Sequence, residues 1–318
     1  TARKAESCKL LNLSPMPKKI NLGSGKVSLP EFDNLHLPSG CSHSLLELAV
    51  KLANELESTV GNRIRFVRSE VAGASIRLLL NGSEDASENY QMTIAPSEIK
   101  IAAKSETGLF YGIQTLRQLI RTEGPALPLL EISDAPDYPV RGFYHDCTRG
   151  KVPTLETLFK LADKLAYYKI NQLQLYIEHT FAFARHSDMW NGADPLTAEE
   201  IIRLDHYCRD RHIDLVPSLS TFGHFYMGLR SQRKKHLNEL DVDAPALPFS
   251  FHDRQMHYTL NASDPESIRL VEDMLAEFLP LFSSSYFNIC CDETFDLGRG
   301  KNAAKAARAG STEKLYVD

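Results

Sequence analysis

The sequence predicts an α/β protein with two domains, a small α+β domain followed by a series of alternating strands and helices. The chain has 318 residues, of which 43% are hydrophobic and 24% are charged. This is the composition of a globular protein long enough for about two domains. The hydrophobic pattern changes across a Pro-rich turn segment at residues 134–139. We therefore place the first domain at residues 1–135 and the second at residues 136–318.

In the first domain, apolar residues recur at helical spacing in residues 44–56 and 107–121, which predicts two helices. Strand-like runs occur at residues 63–68, 75–80, 90–95 and 98–103. Pro96-Ser97 separates the last two runs by the short distance that joins an antiparallel pair, and Asn81-Gly82 is a strong turn signal. These patterns predict a small sheet with helices packed on it.

In the second domain, predicted strands alternate with predicted helices. The strands are residues 140–145, 172–177, 213–218 and 286–291. Helices are expected from Thr154, Thr197 and Pro265, each with a capping residue or a proline at its start. The alternation predicts a parallel sheet with helices outside, as in the first four units of a (β/α)8 barrel. Four units leave open sheet edges, so we expect the remaining half of the barrel from sequence beyond residue 318.

Ionisable side chains follow the predicted strands of the second domain. They are Asp146 after the first strand, Glu178 and His179 after the second, His224 after the third, Asp292 and Glu293 after the fourth, and Arg141 near the start of the first. Catalytic groups of parallel barrels lie at the carboxyl ends of the strands. Adjacent residues of a strand point to opposite faces, so Asp292 and Glu293 can take different roles on one substrate. We predict an active site at these strand ends.

Charge and motifs argue against several other classes of protein. The net charge is −5, and the densest basic cluster, Arg233-Lys234-Lys235, is too short for a nucleic-acid surface. No apolar stretch reaches the ~18 residues of a membrane span, and no signal peptide is visible. The six cysteines form no C-x-x-C pair, and there is no Gly-rich phosphate loop, so we expect no cofactor. The cysteine usage looks reduced, which favours a cytoplasmic location.

Four segments of the second domain resemble glycoside hydrolase family 20, the β-N-acetylhexosaminidases. They read RGFYHD at residues 141–146, YKINQLQL at 168–175, TFGH at 221–224 and CDE at 291–293. Residues 11–18 and 107–116 resemble the family's non-catalytic N-terminal domain, so the resemblance covers most of the chain. Within the family, residues 176–181 and 293–298 are similar to the hexosaminidase D-like branch.

The resemblance implies release of terminal β-linked N-acetylglucosamine or N-acetylgalactosamine by a substrate-assisted retaining mechanism. It makes Glu293 the general acid and later the base, while the sugar's own 2-acetamido carbonyl attacks the anomeric carbon. Asp292 would hold the acetamido N–H group. Arg141 would bind the 3- and 4-hydroxyls of the sugar, and His224 would support Glu293. The implied partner is a glycan, with no nucleic acid and no membrane.

We also expect Asp146, Glu178 and His179 to bind substrate.

Two other interpretations of the sequence stay open. The first alternative is a metal-dependent barrel hydrolase with a divalent ion bound by His179, His224, Asp292 and Glu293, and its activity would be sensitive to chelators. The second alternative is a catalytically inactive glycan-binding protein, which would bind sugar without turnover.

Overall fold

The computed structural model of the chain describes residues 11–61, 63–82 and 87–317. These residues form two compact units. One unit contains the residues up to Arg141 together with Leu165–Lys169, and the other contains Gly142–Lys164 and the residues from Ile170 onward. Within the described ranges, no helix is both long enough and apolar enough to cross a membrane.

The first unit is built on a seven-stranded sheet. Its strands are β1 (Lys19–Ser28), β2 (Phe32–His36), β3 (Arg65–Val67), β4 (Ala74–Leu80), β5 (Tyr90–Ala95), β6 (Glu98–Ala103) and β7 (Ala126–Asp134). The strand order across the sheet is β1-β7-β5-β6-β4-β2-β3. Strands β5 and β6 pair antiparallel, with Tyr90 opposite Ala103, which confirms the predicted pair. The sequence patterns had not identified β1, β2 or β7.

Two long helices, α1 (His43–Val60) and α2 (Glu106–Glu123), belong to the first unit, and both were predicted. Each begins after a serine whose side chain accepts a hydrogen bond from a backbone N–H of the first turn. Helix α2 packs closely on the sheet because Gly112 has no side chain. A Cβ atom at Gly112 would lie 2.5 Å from Cγ2 of Ile101 on β6, a distance that real Cβ atoms do not tolerate.

The second unit contains a three-stranded parallel sheet. Its strands are β8 (Gly142–Asp146), β9 (Gln172–Ile177) and β10 (Asp214–Leu219), and β9 lies between the other two. Gly142 and Asp214 both stand opposite Gln172, so the three strands start level. Parallel strands that start level have their carboxyl ends at the same end of the sheet, and the predicted site lies at this end. The core of the sheet is formed by buried leucines of β9 and β10 together with Ile177.

The helices after α2 continue in chain order. They are α3 (Leu155–Tyr167), α4 (Ser187–Trp190), α5 (Ala198–Arg209), α6 (Tyr226–Leu229), α7 (Phe251–Met256), α8 (Pro265–Phe278), α9 (Ala303–Ala309) and α10 (Thr312–Val317). The three predicted helices correspond to α3, α5 and α8. The capping box predicted at Thr197 is present, because Thr197 and Glu200 each bond the other's backbone N–H.

The fourth predicted strand, residues 286–291, is wrong as a regular strand. It is reduced to one parallel bridge between Ser218 and Asn288, with Asn288 N–H donating to the carbonyl of Pro217 at 2.9 Å. Pro217 has no N–H with which to extend the ladder toward earlier residues. On the other side, Cys290 has a φ of 44° and its N–H donates to the side chain of Asn288, so the backbone leaves the extended conformation.

Candidate active site

Asp146 ends β8 and directs the chain into a turn. Its Oδ1 atom accepts hydrogen bonds from the backbone N–H groups of Thr148 at 2.8 Å and Arg149 at 2.9 Å. Its Oδ2 atom accepts from Nη1 of Arg149 at 3.2 Å. The Arg149 guanidinium carbon lies 4.7 Å from the centre of the Tyr176 ring on the neighbouring strand. The end of β8 therefore places a cation above the end of β9.

Glu178, the first residue after β9, is a buried acid whose side chain is only 2% exposed. It accepts a hydrogen bond from the Tyr176 hydroxyl at 3.0 Å. Two cations lie near it, Arg149 at 3.5 Å and Arg254 at 3.7 Å. Burial raises the pKa of Glu178 to about 7, and the two arginines and the tyrosine only partly oppose this rise. Glu178 therefore changes its charge near neutral pH.

His179 is buried beside Glu178 and stays neutral at neutral pH. Burial, and secondarily the charge of Arg254, lowers the pKa of His179 to about 4. Its Nδ1 atom lies 3.9 Å from Oε2 of Glu178. Neither of these two atoms has a hydrogen-bond partner among the described residues. Buried polar atoms normally have partners, so this pair is an exception among the buried polar groups of the site.

His224 follows β10 and is almost fully buried. Its Nε2 atom lies 3.2 Å from Oε2 of Glu293 and 3.9 Å from Oδ2 of Asp292. Burial is the main cause that lowers the pKa of His224, and the charge of Arg149 adds to it, while the two carboxylates act in the opposite direction. A neutral imidazole therefore contacts the acid pair.

Asp292 and Glu293 are exposed, with side chains 66% and 50% accessible. The expectation that they point to opposite faces is wrong, because both carboxylates lie within 4 Å of the same atom of His224. Glu293 has a φ of 52°, so the backbone here is not extended and the alternation of a strand does not apply. Gly223 lets the backbone of Asp292 lie close to it, since a Cβ atom at Gly223 would lie 2.5 Å from the carbonyl oxygen of Asp292.

Arg141 makes its contacts within the first unit. It belongs to the first unit, where its guanidinium pairs with Glu88 at 2.7 Å. It also donates to the carbonyl oxygens of Lys169 at 2.7 Å and Tyr138 at 2.9 Å. The sugar-binding role expected of Arg141 thus has no support from its contacts and stays a prediction.

The remaining predicted residues form one cluster at the end of the sheet. It consists of Asp146, Glu178, His179, His224, Asp292 and Glu293, connected by Arg149 and Arg254. The sequence analysis missed both arginines. Arg149 had a usable signal, because it lies three residues after Asp146 at the end of a strand. Arg254 had no local signal, since α7 brings it to Glu178 from a distant part of the chain.

A metal at the acid pair has partial geometric support. Potential ligand atoms of His224, Asp292 and Glu293 all lie within 4.8 Å of one another. His179, the fourth ligand of the metal hypothesis, is not part of that group. A catalytic zinc site with three protein ligands of this kind is chemically possible.

The fold and the site define a parallel α/β protein with its ionisable groups at the carboxyl ends of the strands. Residues 10–135 match the family model described as glycosyl hydrolase family 20, domain 2, and residues 138–313 match glycosyl hydrolase family 20, catalytic domain. The chain belongs to glycoside hydrolase family 20. It comprises a small α+β domain followed by part of the family's catalytic barrel.

Curated relatives carry the name β-hexosaminidase. The protein from Vibrio furnissii is 25% identical over 97% of this chain and 52% of its own length. The protein from Akkermansia muciniphila is 30% identical over 42% of this chain and 31% of its own length. The chain thus spans about half the length, or less, of the curated relatives that it matches.

Solved structures share the fold. The chitobiase of Flavobacterium johnsoniae superposes with a TM-score of 0.77 at 22% identity, over 94% of this chain and 48% of that chain. A mutant β-hexosaminidase from Streptomyces plicatus, in complex with the product GlcNAc, has a TM-score of 0.76 at 24% identity. This match covers 96% of this chain and 64% of the Streptomyces chain.

Proposed function

We propose that the protein is a β-N-acetylhexosaminidase that releases terminal β-linked N-acetylhexosamine from glycans. The observation that carries the proposal is the acid pair Asp292-Glu293, with Glu293 3.2 Å from the buried imidazole of His224. The names of the relatives and the GlcNAc complex of the Streptomyces plicatus protein support it. Because the chain spans only part of these relatives, the activity is proposed for the natural protein that carries this sequence.

The proposed reaction is substrate-assisted and retains the anomeric configuration. Glu293 protonates the glycosidic oxygen while the carbonyl oxygen of the 2-acetamido group attacks the anomeric carbon and forms an oxazolinium ion. Asp292 accepts a hydrogen bond from the acetamido N–H and stabilises its developing positive charge. Glu293 then removes a proton from the water that opens the ring. A neutral His224, with Nε2 3.2 Å from Oε2 of Glu293, supports Glu293 without placing a full positive charge beside it.

Arg149 is a further candidate for binding the hydroxyls of the sugar, beside Arg141, for which that role stays a prediction. Its guanidinium lies beside Asp146 and Glu178, two of the residues that we expect to bind substrate. Arginine and carboxylate groups at one strand edge offer both donors and acceptors to vicinal hydroxyls. Asp146 holds Arg149 through a hydrogen bond from Nη1 of the arginine. Glu178 and His179 stay expected substrate-binding residues.

We also propose that further β/α units complete the barrel. Large apolar side chains near the two edges of the parallel sheet are exposed: Phe143 at 40%, Tyr144 at 51%, Tyr286 at 69% and Ile289 at 52%. Exposed groups of this size close together mark a surface that binds other protein. Additional strands beside β8 and beside the Asn288 bridge would cover them.

The test is hydrolysis of an aryl β-N-acetylglucosaminide by the natural protein, wild type beside Glu293→Gln. Loss of general acid–base catalysis predicts a kcat lower by about 10²- to 10⁴-fold. Glu266→Gln is the matched control, because Glu266 is an exposed acid paired only with His236 among the described contacts. Equal turnover by wild type and Glu293→Gln would remove Glu293 from the mechanism.

The metal-dependent alternative rests on the group formed by His224, Asp292 and Glu293. We expect turnover to survive exhaustive chelation, since the acetamido group supplies the nucleophile and Glu293 the proton. Inactivation by a chelator, reversed by one divalent ion, would favour the metal mechanism. Sugar binding with no turnover in wild type would favour the glycan-binding alternative.

A further inference from the structure

A second cluster of possible metal ligands lies on and directly after α7, outside the acid pair. It consists of His252, Asp253 and His257, and one potential ligand atom from each lies within 4.8 Å of the others. Nδ1 of His252 is 3.6 Å from Oδ1 of Asp253. Two imidazoles and one carboxylate form a ligand set typical of zinc.

A buried carboxylate orients one of these histidines. Nδ1 of His257 contacts Oδ1 of Asp296, whose side chain is only 1% exposed. The other carboxylate oxygen of Asp296 accepts a hydrogen bond from the backbone N–H of Thr259 at 3.2 Å. A carboxylate can only accept, so Nδ1 of His257 carries the proton and Nε2 is the ring atom that remains for an ion. Histidines that bind metals commonly have such a carboxylate behind them.

The local backbone holds two of the three ligands in place. Ser250 caps α7 by accepting a hydrogen bond from the N–H of Asp253, and the N–H of His257 donates to the carbonyl of Asp253 at 2.8 Å. The side chain of His252 is 76% exposed, so it can rotate toward an ion. Zinc binds nitrogen and oxygen ligands at about 2.0–2.2 Å, so the side chains of His252 and Asp253 would move toward a bound ion.

We propose that His252, Asp253 and His257 bind a divalent transition-metal ion of the zinc class, with Asp296 as the group that orients His257. Imidazole ligands favour zinc, copper or nickel over calcium and magnesium, which prefer oxygen ligands. The contact between His257 and Asp296 connects this site to the segment three residues after Glu293. The proposal does not depend on the hydrolase activity, because its ligands are distinct from the acid pair.

The experiment is calorimetric titration of the protein with ZnCl2, and with CaCl2 and MgCl2 in parallel, after chelator treatment and dialysis. We expect zinc to bind, calcium and magnesium not to bind, and zinc to raise the Tm. His252→Gln removes an exposed ligand without disturbing a buried contact, and should weaken zinc binding at least about tenfold. Asp296→Asn should weaken it by about 10- to 100-fold, the usual effect of losing the orienting carboxylate.

Two control variants distinguish zinc binding at this site from zinc binding elsewhere on the protein. His236→Gln changes an exposed histidine that pairs with Glu266, and should leave zinc affinity unchanged. Glu293→Gln alters the other candidate metal group, and should also leave it unchanged. Zinc binding that is lost in Glu293→Gln and retained in His252→Gln would overturn the proposal, as would the absence of zinc binding to wild type.

Discussion

At His224 and Glu293 the backbone has φ angles of 59° and 52°, in the left-handed region that non-glycine residues rarely adopt. Such residues cost about 1–3 kcal/mol each, and they concentrate at functional sites. With these backbone conformations, the imidazole of His224 lies 3.2 Å from the carboxylate of Glu293. The surrounding packing holds this local strain because Phe222 stacks on Tyr316 and Gly223 lies against the Asp292 backbone.

Gly223→Ala tests how closely the acid pair is positioned. The new Cβ atom would lie 2.5 Å from the carbonyl oxygen of Asp292, so the segment carrying the pair must shift. We expect kcat of the natural protein to fall about 10- to 100-fold, the usual effect of a displacement near 1 Å. Gly142→Ala is the control, since its Cβ meets only the flexible end of Gln172 at 3.3 Å. Unchanged turnover in Gly223→Ala would show that the contact does not position the site.

Glu178 should make stability depend on pH. Its pKa is about 7 when folded, above the ordinary value of 4.5, so the folded protein retains a proton that the unfolded chain releases. This contribution to the free energy of unfolding is complete below pH 4.5 and is lost as pH rises through 7, by about 3 kcal/mol in total. Urea unfolding of Glu178→Gln and wild type from pH 5 to 8 measures it. We expect the difference between the two proteins to shift in favour of Glu178→Gln as pH rises, and a difference independent of pH would contradict the assignment.

His179 should act on stability in the opposite direction. Its pKa falls from 6.5 to about 4 on folding, so the unfolded chain binds the proton more strongly. The stability that neutral His179 provides is complete above pH 6.5 and is lost as pH falls through 4. His179→Gln should therefore lose part of the acid sensitivity seen in wild type between pH 6.5 and 4. Identical acid unfolding profiles of the two proteins would count against a buried, neutral His179.

At the scale of elements, helix α5 shows how a short sequence signal determines a boundary. The hydroxyl of Thr197 accepts from the N–H of Glu200, and the carboxylate of Glu200 accepts from the N–H of Thr197. Both bonds join residues three positions apart, so the signal for them lies within a short stretch of sequence. The start of α5 could therefore be predicted from the sequence. The limits of β5, β6 and β9, which were predicted from strand-like runs, also match residue for residue.

Thr197→Ala should destabilise the protein by about 1 kcal/mol, because it leaves the N–H of Glu200 without its acceptor at the helix start. Thr197→Ser is the matched control, since it keeps the hydroxyl oxygen. The free energy of unfolding in urea measures both changes. Equal destabilisation by alanine and serine would show that the methyl group of Thr197 matters and the cap does not.

The fourth strand shows where element-scale prediction fails. Its apolar run has the composition of a buried strand, yet the ladder does not extend to the residues before Asn288, because Pro217 on β10 has no N–H to donate. Pro217 lies about seventy positions away in the sequence, so the local pattern of residues 286–291 does not show that its N–H is missing. The same reasoning applies to Arg254, because its partner Glu178 is also distant in the sequence.

At the scale of the whole molecule, the parallel sheet of the second unit carries exposed aromatic and aliphatic groups near both of its edges. We expect residues 1–318, produced alone, to bind a hydrophobic dye such as ANS more strongly than the natural protein does. The reason is that the proposed further β/α units would cover Phe143, Tyr144 and Ile289. Phe143→Ser should lower dye binding by residues 1–318. Equal dye binding by both proteins would contradict the proposed covering.

The sequence by itself determined the local features of this protein: helix caps, strand periodicity, the order of elements and the residue types that follow each parallel strand. These depend on neighbours in the chain. The tertiary structure decided which of those residues meet. It placed Arg141 with Glu88 in the first unit and Arg149 with the acids of the second, and it turned both Asp292 and Glu293 toward His224. Burial also depends on the whole fold, so the pKa of Glu178 near 7 could be found only from the structure.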